Sequence, residues 1–409
     1  MIDFKIIREN PDLVKDSIRR RGLKVDIDRL LDLDQEWRNL KSELDQLRSF
    51  KLQGRPTQQE LVDMQVLKTK RKQIEQRLAL IESERKELWK EVPNLIAENT
   101  PDGAEDKNQV IKQSAVMTQP NKSQAELIDL EVWMEQQGLV DFERGAKVSG
   151  AKFYYQDTRM VKLWRAVSSL AIEVLEDKGF ALLTVPHMVR EVVAEGTGFL
   201  PKGQEEQNYR IIDQGLVMIA TAEIPLTGYH MDETLNLDQP RLYAGLSPCY
   251  RLEAGAYGKY SKGLYRVHQF EKLEMYGYCK PDQAESVHQK ILAIEEEIAE
   301  LLELPYQVVL NATMDLGAPA YKKYDLEYYD PDSQTYRELT SCSNCTDYQA
   351  RKLNIRFDDQ GSLEFAYTLN GTAVTSSRTI LAILANHRNQ SGQVILPKAL
   401  VKYYGKEEL

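Results

Sequence analysis

Four cysteines in 409 residues, Cys249, Cys279, Cys342 and Cys345, are too few to staple a chain of this length. Cys342 and Cys345 form a CxxC, but no second pair completes a tetrahedral zinc site. The strand-then-helix context of a thioredoxin-type redox motif is missing too, so these thiols read as buried or incidental. No apolar run approaches the about 20 residues that cross a bilayer. The opening stretch MIDFKIIRENPDLVK lacks the apolar centre of a secretory signal. A cytoplasmic protein with no membrane partner is therefore expected. Both common phosphate loops are absent: there is no GxxxxGK(S/T) and no strand-linked GxGxxG. A nucleotide, if bound, is held by neither.

The length itself exceeds one compact core, so two or three domains are expected. In the first 100 residues Leu33, Trp37, Leu40, Leu44 and Leu47 are spaced 4, 3, 4, 3, a heptad seam. Gly54, Arg55 and Pro56 break it. Met64, Leu67, Ile74, Leu78, Ile81, Leu88, Val92 and Leu95 resume it, with Arg71 and Arg85 at seam positions. The pattern predicts two helices folded back as an antiparallel coiled coil, the second ending near Pro93. About 25 paired residues would make an arm about 35–40 Å long.

Charge is divided unevenly. The chain carries −10 in total, yet residues 1–100 hold 21 Lys+Arg against 19 Asp+Glu, so the remainder is at −12. The hairpin tip is the basic part: Arg48, Lys51, Arg55, Lys68, Lys70, Arg71, Lys72 and Arg77 face only Glu60, Asp63 and Glu75. Such a tip reads either as a solvated coiled coil or as a lever that grips a phosphate backbone.

Residues 101–125 are polar and punctuated by Pro and Gly, and read as a linker between a helical domain, 1–100, and a larger domain, 126–409. The larger domain predicts helices near 158–178, 282–303 and 375–388. Strands are predicted at 180–185, 216–219, 264–278, 306–310, 324–329 and 334–340. Strands joined by hairpins, with few strand–helix–strand crossovers, give an α+β fold on an antiparallel sheet.

The stretch CYRLEAGAYGKYSKGLYRVHQFEKLEMY, 249–276, concentrates cations in an acidic body. Read as a strand from Gly263 to Tyr278, it puts Phe270, Lys272, Glu274 and Tyr276 on one face, with about 13 Å between Phe270 and Glu274. Arg251 and Glu253 share a face on the preceding segment. The floor so formed suits a nucleoside triphosphate beside an amino acid: arginine for phosphate, an aromatic for the base, carboxylates for magnesium, an adenine amine or an ammonium. Thr221-Ala222-Glu223 puts a hydroxyl and a carboxylate where the chain turns before Pro225. In LNGTAVTSSRTILAILANHR, 369–388, Arg378 stands at a helix start, a position suited to clamping phosphate.

These segments, together with GTGFLPKG, YRLEAG…GLYRVHQFEKLEM, RELTSCSNCTDYQARKLNIRF and the helical hairpin, resemble the seryl-tRNA synthetases, class II aminoacyl-tRNA synthetases, over essentially the full length. The resemblance implies an antiparallel sheet of six or seven strands flanked by helices, behind a coiled-coil arm. It implies a homodimer with the helix and strand ending at Pro186 at its interface. It also implies two steps: L-serine, ATP and Mg2+ give seryl-adenylate, and the seryl group then passes to the 3′ end of tRNA(Ser), or of tRNA(Sec) where present. By the same resemblance Thr221, Ala222, Glu223, Glu274 and Thr372 line the serine pocket. Arg251, Leu252, Glu253, Arg266, Val267, Phe270, Glu338, Leu339, Thr340, Ser341 and Arg378 hold ATP. Arg251, Glu274 and Arg378 carry the chemistry, and Glu338 and Ser341 coordinate magnesium. The tip residues Arg48, Lys51, Arg55, Lys68, Lys70, Arg71 and Lys72 contact tRNA. No ligand set matches the zinc-dependent archaeal variant, so no zinc is expected.

The chain departs from the family at AGAYGKYSKG, where bacterial relatives usually have AGSAGRDTRG, and at GTAVTSSR, where GSGLAVGR is common. Thr372 and Arg378 keep the hydroxyl and the guanidinium. Two rival readings are a synthetase-like ligase that charges a carrier protein, and an inactive coiled-coil adaptor. The long hairpin opposes the first and the intact charge set opposes the second.

Overall fold

A computed structural model describes residues 1–49, 58–115, 129–199, 208–211, 213–253, 263–389 and 391–409. The chain divides into two units, Met1–Leu95 and Ile96–Leu409.

The first unit is helical: α1 (Phe4–Glu9), α2 (Pro11–Arg20), α3 (Ile27–Ser49) and α4 (Gln58–Glu91). The long pair α3 and α4 run antiparallel, as their cross-helix ion pairs record: Arg29–Glu84 at 2.7 Å, Arg77–Glu36 at 2.8 Å, Lys70–Glu43 at 2.7 Å and Arg48–Glu75 at 3.0 Å. All four are solvent-exposed, so each contributes about 0–1 kcal/mol and fixes register more than stability. Leu33, Leu44, Ile74 and Ile81 are buried in the predicted seam, while Met64 is 46% exposed. Arg85 enters the seam because it has partners there. It pairs with buried Asp34 at 2.9 Å and lies 4.8 Å from the Trp37 ring and 4.3 Å from Phe4. α4 stops at Glu91, two residues before Pro93. The predicted Gly54-Arg55-Pro56 turn, and with it Lys51, lies outside the described residues.

The second unit is built on an eight-stranded sheet: β1 (Gln109–Gln113), β2 (Ala181–Leu183), β3 (Arg241–Tyr250), β4 (Gln269–Cys279), β5 (Tyr306–Leu310), β6 (Lys322–Asp330), β7 (Thr335–Asn344) and β8 (Tyr367–Thr375). Their order is β1-β5-β6-β7-β8-β4-β3-β2. Every pairing is antiparallel except β2 on β3. Helices α5 (Thr158–Asp177) and α7 (Ala284–Leu301) share one core with Leu273, Met275, Val308 and Leu326 from the strands. α5 exposes its polar stripe and buries Leu163, Val167, Leu170 and Ala171 at helical spacing. α6 (Glu223–Gly228) and α8 (Tyr348–Leu353) flank a second core around Tyr276 and Tyr278, both fully buried. α9 (Arg378–His387) packs against β6 and β8.

Several sequence readings change. Residues 109–113, placed in a linker, form edge strand β1, paired with β5. All five are exposed, so their composition resembles a loop and only their backbone pairing marks a strand. Fewer linker residues remain: Gly103 N–H donates to Thr313 Oγ1 at 3.2 Å and Asn108 Oδ1 accepts from the Ala312 N–H at 2.8 Å. The division falls at 95/96 instead of 100. The sheet has eight strands where six or seven were expected, because β1 and β2 extend its edges. The strand expected from Gly263 starts at Gln269, after a 3-10 turn at Gly263–Tyr265. None of the four cysteines forms a disulfide, and all are buried.

Candidate active site

Strand register assembles the site. β4 pairs with β8 across a bulge, so that Glu274 stands opposite Thr372 while Leu273 stands opposite Val374. On its other side Glu274 faces Gly245 of β3. The segment Ile219–Glu223 is laced to the end of β3: the Tyr250 N–H donates to Ile219 O at 2.8 Å, and Arg251 Nε donates to Ala220 O at 3.3 Å.

The result is a buried cluster of acids and hydroxyls. Thr221 Oγ1 donates to Glu274 Oε2 at 3.2 Å and accepts from the Glu223 N–H at 3.2 Å. Lys272 Nζ forms an ion pair with Glu274 and reaches Thr372 Oγ1 at 3.5 Å. Glu223 Oε1 accepts two amide donors, Gln349 Nε2 at 2.8 Å and Asn370 Nδ2 at 3.0 Å. Burial is the main cause that raises both carboxyls. Glu223 is pushed up to about 7, with Glu274 adding to the effect. Glu274 is also raised, although Lys272 opposes the shift.

Beside this cluster opens a cavity of about 130 Å³, lined by Arg251, Glu253, Tyr265, Val267, Phe270, Lys272, Glu338, Leu339, Thr340, Ser341, Thr372, Thr375, Ser377 and Arg378. The Arg251 guanidinium lies 5.2 Å from the Phe270 ring centre. Arg266 pairs with Glu253 at 3.2 Å, and Glu253 holds a left-handed backbone, φ 46°, unusual for a residue with a side chain. Across the cavity Arg378 pairs with Glu338 at 2.8 Å and sits 4.7 Å from the Tyr265 ring. Burial opposes ionisation of Glu338, but Arg378 and Lys323 outweigh it and hold the carboxyl at about 2. Glu338 is nevertheless 39% exposed, so it is an ionised carboxylate deep in a concave wall that is still open to the cavity. At the start of α9 the Arg378 N–H donates to Thr375 Oγ1 at 3.1 Å.

Of the residues read from sequence, Arg251, Glu253, Val267, Phe270, Glu338, Leu339, Thr340, Ser341, Thr372 and Arg378 line the cavity. Thr221, Ala222, Glu223 and Glu274 lie next to it, buried. Leu252 and Arg266 do not line it. The sequence reading gave no role to Lys272, Tyr265, Gln349 or Asn370. Lys272 alternates with Phe270 and Glu274 on one strand, a signal in plain view. Gln349 and Asn370 carried none, because their position depends on α8 and β8 meeting over Glu223. The loop 254–262 lies outside the described residues, and so does the second half of GTGFLPKG, 200–203. Among the described residues no group of three or more His, Cys, Asp and Glu could hold a metal ion, and no helix is long and apolar enough to cross a membrane.

An antiparallel sheet carrying two separated arginine segments over an aromatic floor, with a carboxylate–hydroxyl pocket beside it, defines a class II synthetase core. Residues 209–387 match the family model of the tRNA synthetase class II core domain (G, H, P, S and T). Residues 1–96 match the seryl-tRNA synthetase N-terminal domain. The chain is 43% identical to the serine–tRNA ligase of Dictyoglomus turgidum, covering 100% of this chain and 99% of that one. It is 40% identical to that of Borrelia recurrentis, covering 99% and 98%. A seryl-tRNA synthetase from Pyrococcus horikoshii complexed with ATP superimposes with a TM-score of 0.84 at 37% identity, over 100% and 99% of the two chains. The cytoplasmic serine–tRNA ligase of Naegleria fowleri in complex with AMP gives 0.90 at 28% identity, over 100% and 98%. The chain belongs to the seryl-tRNA synthetase family.

Proposed function

We propose that this chain activates L-serine with ATP to form seryl-adenylate and pyrophosphate, then transfers the seryl group to the 3′ end of tRNA(Ser), and of tRNA(Sec) where present. The observation that carries the reading is the adjacency of two chemistries. A buried carboxylate–hydroxyl cluster already holds one primary ammonium, that of Lys272, on Glu274. It adjoins a cavity walled by guanidinium groups and floored by Phe270.

In the first step a serine carboxylate oxygen bonds to the α-phosphorus, and the bond from that phosphorus to the α–β bridging oxygen breaks. Pyrophosphate leaves with the electron pair. No protein nucleophile is needed, so the residues act by position and charge. Arg251 faces the α-phosphate, where negative charge builds. Arg266 and Arg378 hold the outer phosphates, with Leu339 and Thr340 completing the wall. Phe270 and Val267 pack on the base, and Glu253, beside Leu252, accepts from the adenine amine. Thr221, Ala222, Glu223, Glu274 and Thr372 enclose serine. Glu274 already has a cation, so it suits the serine hydroxyl. Glu223, held only by amide donors, suits the serine ammonium.

Magnesium fits Glu338 and Ser341: one ionised carboxylate and one hydroxyl on the cavity wall are the hard oxygen donors that this ion takes alongside substrate phosphates. Bound there, it would neutralise phosphate charge. We infer no zinc requirement, a homodimer and a cytoplasmic location. The arm reaches tRNA through Arg48, Lys51, Arg55, Lys68, Lys70, Arg71 and Lys72. Arg48 and Lys70 are shared with Glu75 and Glu43, so Lys68, Arg71 and Lys72 carry more of that contact.

Serine-dependent ATP–pyrophosphate exchange followed by charging of tRNA(Ser) tests the reading. Exchange and charging together are expected. Failure of exchange supports the inactive adaptor, and exchange without charging supports a carrier-protein ligase.

A further inference from the structure

Gln349 lies on α8, outside the cavity wall, and is completely buried. Its amide has all its hydrogen-bonding groups engaged. Nε2 donates to Thr197 O at 3.2 Å and to Glu223 Oε1 at 2.8 Å. Oε1 accepts from Tyr276 Oη at 3.0 Å and Thr368 Oγ1 at 2.8 Å. Thr197 O can only accept, so the orientation of the amide is determined and its nitrogen must face Glu223. Four elements therefore converge to aim one N–H at one carboxylate oxygen: α8, β4, β8 and the short helix Glu191–Thr197, whose last residue supplies the carbonyl. Asn370 aims a second N–H at the same Oε1. Both donors stand on Oε1, which leaves Oε2 as the oxygen offered to a substrate.

We propose that Gln349 is a positioning residue for serine recognition: it pins Glu223 Oε1 so that Oε2 is presented, ionised, to the serine ammonium. The inference rests on the serine-pocket reading of Glu223 given above. A hydrogen bond donated to a carboxylate favours its charged form, and Gln349 lowers the Glu223 carboxyl against the burial that raises it. The other titratable groups facing Glu223 are Glu274, Lys272 and Tyr276 on β4 and Arg251 beyond β3. None of them donates a hydrogen bond to Oε1.

The test is Gln349→Met in the full-length enzyme, read by ATP–pyrophosphate exchange across pH. The expected result is a rise in KM for serine of about 10- to 100-fold with KM for ATP within about twofold. The acid limb of kcat/KM for serine moves to higher pH, because the carboxyl has lost a donor that favoured its ionised form. Tyr276→Phe removes one of the hydroxyls that orient the amide. It is expected to move both quantities the same way by a smaller factor, and it serves if the methionine variant does not fold. A folded variant with an unchanged acid limb, or with both KM values rising together, overturns the inference. Glu223→Gln separates the two levels. If it leaves serine KM unchanged, the serine-pocket reading of Glu223 itself fails. If it raises serine KM while Gln349→Met does not, only the positioning role fails.

Discussion

Glu223→Gln should make the enzyme worse and, at alkaline pH, more stable. Glu223 is 7% exposed and its carboxyl is pushed from 4.5 to about 7. The sign follows from proton counting. Between those two values the unfolded chain has released the proton while the folded chain still holds it. Stability therefore falls as pH rises, by about 1.4 kcal/mol per pH unit. Across the window the loss comes to about 3 kcal/mol. Glutamine keeps the Oε1 acceptor that Gln349 and Asn370 need, and it cannot ionise. Urea titrations of wild type and variant at matched protein concentration and pH 5, 6, 7 and 8 read the difference directly. The variant should gain about 2–3 kcal/mol relative to wild type between pH 5 and pH 8, while serine activation falls. Stability curves that run parallel over this range would refute the reasoning, because Glu223 would then ionise at its unfolded value.

Glu274→Gln should cut serine-dependent exchange by about 100-fold or more while sparing ATP binding; the alanine variant would leave the Lys272 ammonium buried and unpaired, at about 3–5 kcal/mol. Unchanged exchange kinetics for serine would remove Glu274 from the pocket. Deleting residues 36–88 and bridging the ends should leave exchange within about twofold and lower tRNA charging about 100-fold or more, the scale expected when several phosphate contacts are lost. Equal charging would make the arm structural only. Gly371→Ala should cost about 1–3 kcal/mol by chemical denaturation, since a Cβ there meets Ile291, stands 2.8 Å from Glu295 Oε1 and 3.0 Å from Cys342 Cβ; a loss under 0.5 kcal/mol would show that α7 can shift away from β8.

The elements that periodicity reaches were legible. The α3–α4 seam, α5 and β5 follow from apolar spacing alone. The departures occur where a segment's state depends on distant partners. β1 is polar and wholly exposed, and is a strand only because β5 offers it a free edge. Residues 266–268 alternate well enough to continue β4, but the chain leaves the ladder there: the Arg251 N–H donates to His268 O at 3.0 Å, and Arg251 O sits 3.0 Å from His268 Nδ1. At the site, residues carried by a motif could be named from type and order. Lys272 was within reach of the same alternation that places Phe270 and Glu274; Gln349 and Asn370 could not be given a role, because what they do depends on how α8 and β8 meet over Glu223. The β4–β8 bulge is the clearest case. Without it Glu274 would face a neighbour of Thr372, and no one-dimensional pattern records that shift.

The two buried acids of the pocket differ in how their charge is balanced, and that difference has consequences for specificity. Glu274 has Lys272 against it, so its negative charge is already neutralised by a buried cation; a second ammonium arriving there would have to displace the first. Glu223 has only amide N–H groups, which stabilise a carboxylate without neutralising it, and burial and Glu274 keep it near its titration point at physiological pH. A ligand that brings a positive charge therefore recovers at Glu223 the free energy lost to desolvation, whereas a neutral analogue of the same shape does not. On the proposed serine-pocket reading, selectivity for an amino acid over its hydroxy-acid counterpart is expected to follow from leaving one of two neighbouring carboxylates without a counter-ion, and the pH-dependent instability predicted for Glu223 is the same property measured in the absence of substrate.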